Sequence, residues 1–137
     1  MNTTGHALYR GRILLVEDDP DAALFALHVL GKRGGFDVTH TADPAMALAM
    51  AVAEPWDLVL TDAELPGMTG LELIEALRKE APTLPIAVLT SHIGTGKTAD
   101  ALRSRADVFL EKPVRIELLI ATATALVGGG RAAHDSP

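Results

Sequence analysis

The run Asp57-Leu58-Val59-Leu60-Thr61-Asp62-Ala63-Glu64-Leu65-Pro66-Gly67 contains a short strand and its exit. Leu58, Val59 and Leu60 follow one another without polar alternation, the pattern of a strand buried on both faces. The apolar run stops at a carboxylate, and Pro66-Gly67 turns the chain within a few residues. Open α/β sheets present their chemistry in this way, at the C-terminal ends of buried strands. Taken alone, Asp62 reads equally well as an ordinary strand terminator, because Asp is a common turn residue. The remaining strands decide between the two.

Upstream, Ile13-Leu14-Leu15-Val16 is a second continuous apolar run, and it ends in Glu17-Asp18-Asp19. Asp19 and Pro20 supply an N-cap and a first helical position. Ala23, Leu24, Leu27 and Leu30 then recur at helical spacing until Gly34-Gly35 stops the helix. Residues 36–40 alternate as an edge strand does, and Asp43-Pro44 opens an Ala/Met/Leu helix that ends by Pro55. Downstream, Thr69 and Glu72 have the spacing of a capping box for a helix carrying Leu71, Ile74 and Leu77. Arg78-Lys79-Glu80 at its end reads as a solvated face. Ile86-Ala87-Val88-Leu89 is the fourth strand, ending at Thr90-Ser91. A weaker helix over residues 98–104 leads to a fifth strand, Val108-Phe109-Leu110, which ends at Glu111-Lys112-Pro113. A last helix over residues 115–127 stops at Gly128-Gly129-Gly130. Strands alternating with helices predict an α/β fold, a doubly wound parallel sheet of five strands with five helices on its two faces.

The 137 residues suit a single domain. The expected division is a loose N-terminal segment 1–11, a folded unit 12–127 and a loose tail 128–137. A formal charge of −6 without a Lys/Arg cluster argues against direct binding to nucleic acid. No cysteine is present, which excludes disulfides and Cys-ligated metals. Residues 1–11 lack the apolar core of a signal peptide, and no apolar run reaches the roughly 20 residues that span a bilayer. The expectation is a soluble cytoplasmic protein without membrane contact.

A parallel sheet gathers the C-terminal ends of its strands along one edge. Glu17 and Asp18, Asp62, Thr90 and Lys112 all fall there. Neighbouring carboxylates about 4 Å apart repel by roughly 4 kcal/mol at an effective dielectric near 20. A cation or a raised pKa relieves that repulsion. Oxygen-only ligands suit a hard ion such as Mg²⁺, while Lys112 offers a point charge for phosphate and Thr90 a hydroxyl donor. Together these groups describe a site for placing a phosphoryl group on a carboxylate.

The chain resembles the receiver domains of two-component response regulators over residues 12–127. Four motifs carry the resemblance: LLVEDDP (Leu14–Pro20), LVLTDAELPGMTGLEL (Leu58–Leu73), PIAVLTS (Pro85–Ser91) and FLEKP (Phe109–Pro113). The resemblance implies a flavodoxin-like sheet of strand order 2-1-3-4-5. It implies Asp62 as phosphoacceptor, with Thr90 and Lys112 contacting the phosphoryl oxygens. It implies Mg²⁺ held by Asp18, by Glu17 mainly through water, by Asp62 and by the backbone carbonyl of Glu64. Thr90 and Phe109 fall at the family's switch positions, and the side chains of Glu64 and His92 flank the path of hydrolytic water. The implied partners are a histidine kinase or histidine phosphotransfer protein and a downstream protein target. A homodimer through the fourth helix, fifth strand and fifth helix is a further arrangement the family allows. The chain is then either a stand-alone receiver or a piece of a larger regulator or hybrid kinase, and not a turnover enzyme.

Two departures from the family pattern stand out. Arg105 replaces the usual Gly before the Ala-Asp that leads into the fifth strand, and Phe109 lacks the hydroxyl of the more familiar Tyr. Two other functions are open to the same residues. One is a small Mg²⁺-dependent phosphatase with Asp62 as nucleophile and Glu64 two residues on; the other is an interaction module that is never phosphorylated. Gly94-Thr95-Gly96-Lys97-Thr98 has part of a phosphate-binding loop, but Ser91 stands where that motif needs its first Gly. The five histidines show no metal-ligand spacing.

Overall fold

Each buried run of the sequence forms a strand, and each periodic segment between them forms a helix. The computed structural model describes residues 10–91 and 94–130. Strand β1 (Arg12–Val16) leads to helix α1 (Pro20–Leu27), which continues through His28–Arg33 in wider π-type turns. There the Gly34 N–H reaches back five residues to the Val29 carbonyl, 2.8 Å away. Next come β2 (Asp37–Thr41), α2 (Pro44–Ala53), β3 (Leu58–Asp62), α3 (Gly70–Glu80), β4 (Ile86–Thr90), α4 (Lys97–Arg105), β5 (Val108–Glu111) and α5 (Ile116–Ala125). The last helix runs on to Gly130. All neighbouring strands are parallel, in the order β2-β1-β3-β4-β5.

The sheet divides the core in two, because successive side chains of a strand point to opposite faces. Ile13, Leu15, Leu58, Leu60, Ala87 and Leu89 pack on one face with α1 and α5. Leu14, Val16, Val59, Ile86 and Val88 pack on the other with α2 and α3. Every residue of β3 and β4 is buried, as their unbroken apolar runs require, whereas all five residues of the edge strand β2 are half-buried.

The expected helix starts form by the expected chemistry. The Asp19 carboxylate accepts from the Asp21 N–H, and Asp43 accepts from the Ala45 N–H. Thr69 and Glu72 exchange both bonds of a capping box. Some boundaries move by a residue: β2 is offset toward Thr41, α4 reaches both Lys97 and Arg105, and α5 begins at Ile116, with Arg115 in extended backbone just before it. Gly96, from the partial phosphate-loop motif, is the N-cap of α4. Arg10, just before β1, is already held: its N–H donates to the Gly35 carbonyl and its guanidinium lies over the Phe36 ring.

Arg78 departs from the solvated face expected at the end of α3. Lys79 and Glu80 are exposed. The Arg78 guanidinium instead turns inward and donates to the carbonyls of Arg105, Pro82 and Leu84 and to Asp107 Oδ2. It therefore ties the end of α3 to the end of α4 and to the entry of β4. This also accounts for Arg105 in place of a glycine. No non-glycine residue here has positive φ, and α4 ends on extended Ala106. The helix carbonyl of Arg105 is satisfied by Arg78 rather than by a left-handed cap.

Candidate functional site

The site lies at the C-terminal edge of β1, β3, β4 and β5, and backbone pairing fixes each of its members. Glu17 follows β1; its N–H donates to the Thr41 carbonyl at 3.1 Å. Its own carbonyl accepts from His40 Nε2 at 2.8 Å, so that ring nitrogen carries the proton. His40 thus holds the strand exit that presents two acids. The sequence marks it only by its place near the end of β2, in register with Leu15.

Asp62 closes β3 in register with Leu89, and the Ala63 N–H donates to the Leu89 carbonyl at 2.8 Å. The chain then leaves through Gly67, at φ 80°, and enters α3 at Gly70. A Cβ at Gly70 would lie 2.5 Å from the Ala63 carbonyl oxygen, so only glycine lets α3 begin so close to the acid. Lys112 follows β5, with its N–H on the Thr90 carbonyl at 2.7 Å and a cis peptide bond to Pro113.

These supports bring the charged groups together. Lys112 Nζ lies 3.1 Å from Glu17 Oε1 and 3.4 Å from Asp62 Oδ2. The second oxygen of Glu17 accepts from the Asp19 N–H at 3.2 Å, and Asp62 Oδ1 accepts from the Glu64 N–H at 3.2 Å. Glu17, Asp18 and Asp62 each offer a carboxylate oxygen within 4.8 Å of the others. Glu17 and Asp62 are buried, and Asp18 is exposed at the mouth.

Burial pushes the Glu17 carboxyl above its ordinary value, assisted by the charge of Asp62 and opposed by the Asp19 N–H and Lys112. For Lys112 burial works against the ammonium. Its hydrogen bond to Glu17 and the charges of Asp62 and Glu17 outweigh it, and its pKa is raised. Three carboxylates facing one ammonium leave an excess of negative charge, and all the donors are oxygens. That donor set fits a hard divalent cation, and Glu17, Asp18 and Asp62 are the residues that can hold it.

Thr90 is buried at the end of β4, and Phe109 is half-buried on β5 against the α2–α3 side of the core. Glu64 is exposed, with its backbone N–H on Asp62. His92 lies outside the described residues. The expected phosphoacceptor, metal and switch residues therefore converge on one sheet edge, with β5 carrying Phe109 just inside it.

Residues 13–124 match the model of the response regulator receiver domain. The chain belongs to that family. As a receiver it is 34% identical over 120 residues to the response regulator protein PilR of Pseudomonas aeruginosa, an alignment covering 85% of this chain and 27% of PilR. It spans about half the length of other curated relatives. Among solved structures it is similar to a CheY-like response regulator receiver domain from Methanospirillum hungatei, with TM-score 0.82 and 27% identity. That match covers 89% of this chain and 97% of the other. It is also similar to the receiver domain of sensor histidine kinase PA1611 of P. aeruginosa, with TM-score 0.79 and 28% identity over 86% of this chain and 98% of that one. That structure is described with a magnesium ion coordinated in its active site cleft. The receiver assignment leaves the phosphatase reading without support. No helix among the described residues is long and apolar enough to cross a membrane.

Proposed function

We propose that residues 12–127 form a phosphorylation-switched receiver unit in which Asp62 accepts a phosphoryl group from a histidine kinase or histidine phosphotransfer protein. A carboxylate oxygen of Asp62 attacks phosphorus, the donor's P–N bond breaks, and the imidazole leaves. Such transfers are loose, so positioning and charge neutralisation carry the catalysis. The observation that supports this most is the placement of Lys112 Nζ, 3.4 Å from Asp62 Oδ2. From there the ammonium follows the charge as it spreads onto phosphoryl oxygens. Glu17, Asp18, Asp62 and the Glu64 carbonyl are the proposed ligands of Mg²⁺, which when bound neutralises phosphoryl charge that one lysine cannot.

The Thr90 hydroxyl donates to a phosphoryl oxygen once the adduct forms. Moving it inward opens space for Phe109 to turn in, and the face of α4, β5 and α5 changes shape for a downstream protein. A homodimer through that face is one form such an output takes. The reading places the protein in the cytoplasm, with no turnover of a diffusible substrate and no direct contact with nucleic acid.

The test is incubation with Mg²⁺ and acetyl phosphate, followed by intact-mass measurement. One phosphoryl adduct (about 80 Da) is expected, absent in Asp62→Asn and absent in excess EDTA. An adduct that survives Asp62→Asn overturns Asp62 as the acceptor.

A further inference from the structure

Helix α2 reads Pro44-Ala45-Met46-Ala47-Leu48-Ala49-Met50-Ala51-Val52-Ala53, without a single polar or charged side chain. A helix that is apolar on all sides is ordinarily buried on all sides. This one is not. Ala47 is buried and Leu48, Met50 and Ala51 pack on the core, but Met46 and Val52 are 52% and 59% exposed. Ala45, Ala49 and Ala53 are exposed beside them. Between this face and the end of α3 runs a groove of about 510 Å³ lined by Ala45, Leu48, Ala49, Val52, Ala53 and Glu80. None of these residues belongs to the Asp62 site.

The charged residue in the groove lining is an acid, Glu80. Asp43 caps one end of α2 and Glu54 follows the other, and Glu80 stands in the wall. Glu54 is neutralised by Arg12 at 2.8 Å, whereas Glu80 makes no ion pair among the described residues. A second copy of the chain is a poor occupant. Its own α2 carries neither Lys nor Arg, so a two-fold contact along α2 brings no cation from that helix to the Glu80 of either copy.

We propose that the α2–α3 groove docks an amphipathic helix of a partner protein, one whose apolar stripe is flanked by Lys or Arg. The exposed helix is about 15 Å long, enough for two to three turns of a partner. Its alanines let a second axis approach closely, Leu48 and Val52 offer the apolar floor, and Glu80 selects the basic flank. This surface goes beyond the phosphoryl chemistry and does not depend on it.

The experiment titrates the ¹⁵N-labelled protein, phosphodonor omitted, with two synthetic helical peptides. Both carry the same Leu/Ile stripe, flanked by Lys in one and by Glu in the other. The Lys peptide is expected to shift amides of residues 43–54 and 80, and the Glu peptide to bind far more weakly. Val52→Glu and Glu80→Lys are each expected to weaken the Lys peptide about tenfold, or roughly 1.4 kcal/mol. Both positions are exposed, so unchanged circular dichroism and melting are expected alongside. Equal binding of the two peptides, no binding, or shifts centred on the other exposed apolar side chains, Leu24 and Phe25 of α1 and Leu118 of α5, would each overturn the proposal. So would a dimer in sedimentation that Val52→Glu dissociates, which would make a second copy the occupant.

Discussion

Thr90 and Phe109 stand on the same face of the sheet, on neighbouring strands and one pleat apart. Phe109 is in register with Val88, and Thr90 lies two residues further along β4, so both point to the α2–α3 side. Diagonal neighbours at this spacing are within reach of an aromatic ring. In the proposed switch, movement of the Thr90 hydroxyl toward a phosphoryl group would vacate space for the Phe109 ring. Thr90→Ala is expected to accept phosphate on Asp62 while losing most of the shift changes in α4, β5 and α5. Intact mass and amide shifts before and after acetyl phosphate check the two halves separately. Changes confined to α2 and α3 in the wild type would remove this pair from the switch.

The fold was legible because four of its strands are built on short unbroken apolar runs, and such runs have few other homes in a single domain. The acid at each strand end was legible because an apolar run that stops at Glu17 or Asp62 shows where burial ends. Arg78 was not. The sequence shows an arginine in the last turn of a polar-faced helix, and nothing local marks the four acceptors that fold around it. His40 escaped for the same reason: its partner is the backbone carbonyl of Glu17, a group every residue possesses.

Glu17 ties stability to pH. Its folded pKa is raised above the ordinary 4.5, first by burial. Between that value and the folded pKa, the folded state holds a proton that the unfolded state has released. Its contribution is therefore full below about pH 4.5 and is lost as pH rises through the folded pKa. At neutral pH the buried carboxylate is a cost. Without metal, Glu17→Gln is expected to melt higher than wild type at pH 7, with a gain on the order of 1 kcal/mol that shrinks toward pH 4. Thermal melts across that range in EDTA measure it. A lower melting temperature at pH 7 would show that the Lys112–Glu17 contact outweighs the burial cost.

If they hold Mg²⁺ as proposed, the same carboxylates tie stability to it. A ligand that binds only the folded state stabilises by RT ln(1 + [L]/Kd), about 1.4 kcal/mol at ten times Kd. The melting temperature of the wild type is expected to climb with Mg²⁺, and that of Asp18→Ala to climb much less. Asp18 is exposed, so its removal leaves the packing intact and isolates ligation. Equal responses would exclude Asp18 as a ligand.

Arg78→Ala removes four hydrogen bonds and leaves the Asp107 carboxylate, among the described residues, with the Ile86 N–H 2.8 Å away. A loss of about 2–3 kcal/mol is expected, read as a lower urea midpoint at unchanged slope. Arg78→Lys is expected to recover little of it, because one ammonium cannot reach acceptors spread around a planar fork. Full rescue by lysine would mean that charge near Asp107, rather than the bonding geometry, holds these segments together.

If Asp62 is phosphorylated as proposed, Glu64 is expected to bear on how long the phosphoryl group stays there. An acyl phosphate is hydrolysed by water attacking phosphorus in line, opposite the carboxylate oxygen that leaves. The Glu64 N–H is bonded to Asp62 Oδ1 at 3.2 Å, so its backbone is fixed beside the acceptor while its side chain is exposed at the mouth. That side chain is long enough to fold over the adduct, where its charge either orients the water or repels it. Ala at position 64 keeps the backbone N–H and removes only the carboxylate. Phosphorylation by acetyl phosphate is therefore expected to proceed much as in the wild type, and the half-life of the adduct to change several-fold, about 1 kcal/mol in barrier. His92, two residues past Thr90, is the second side chain expected to act on the same water. Combining His92→Ala with Glu64→Ala is expected to move the half-life further. Decay of the phosphorylated protein, followed by mass in the single and double variants, separates the two contributions. Identical half-lives in all the variants would leave Glu64 and His92 as surface residues with no part in the signal's duration.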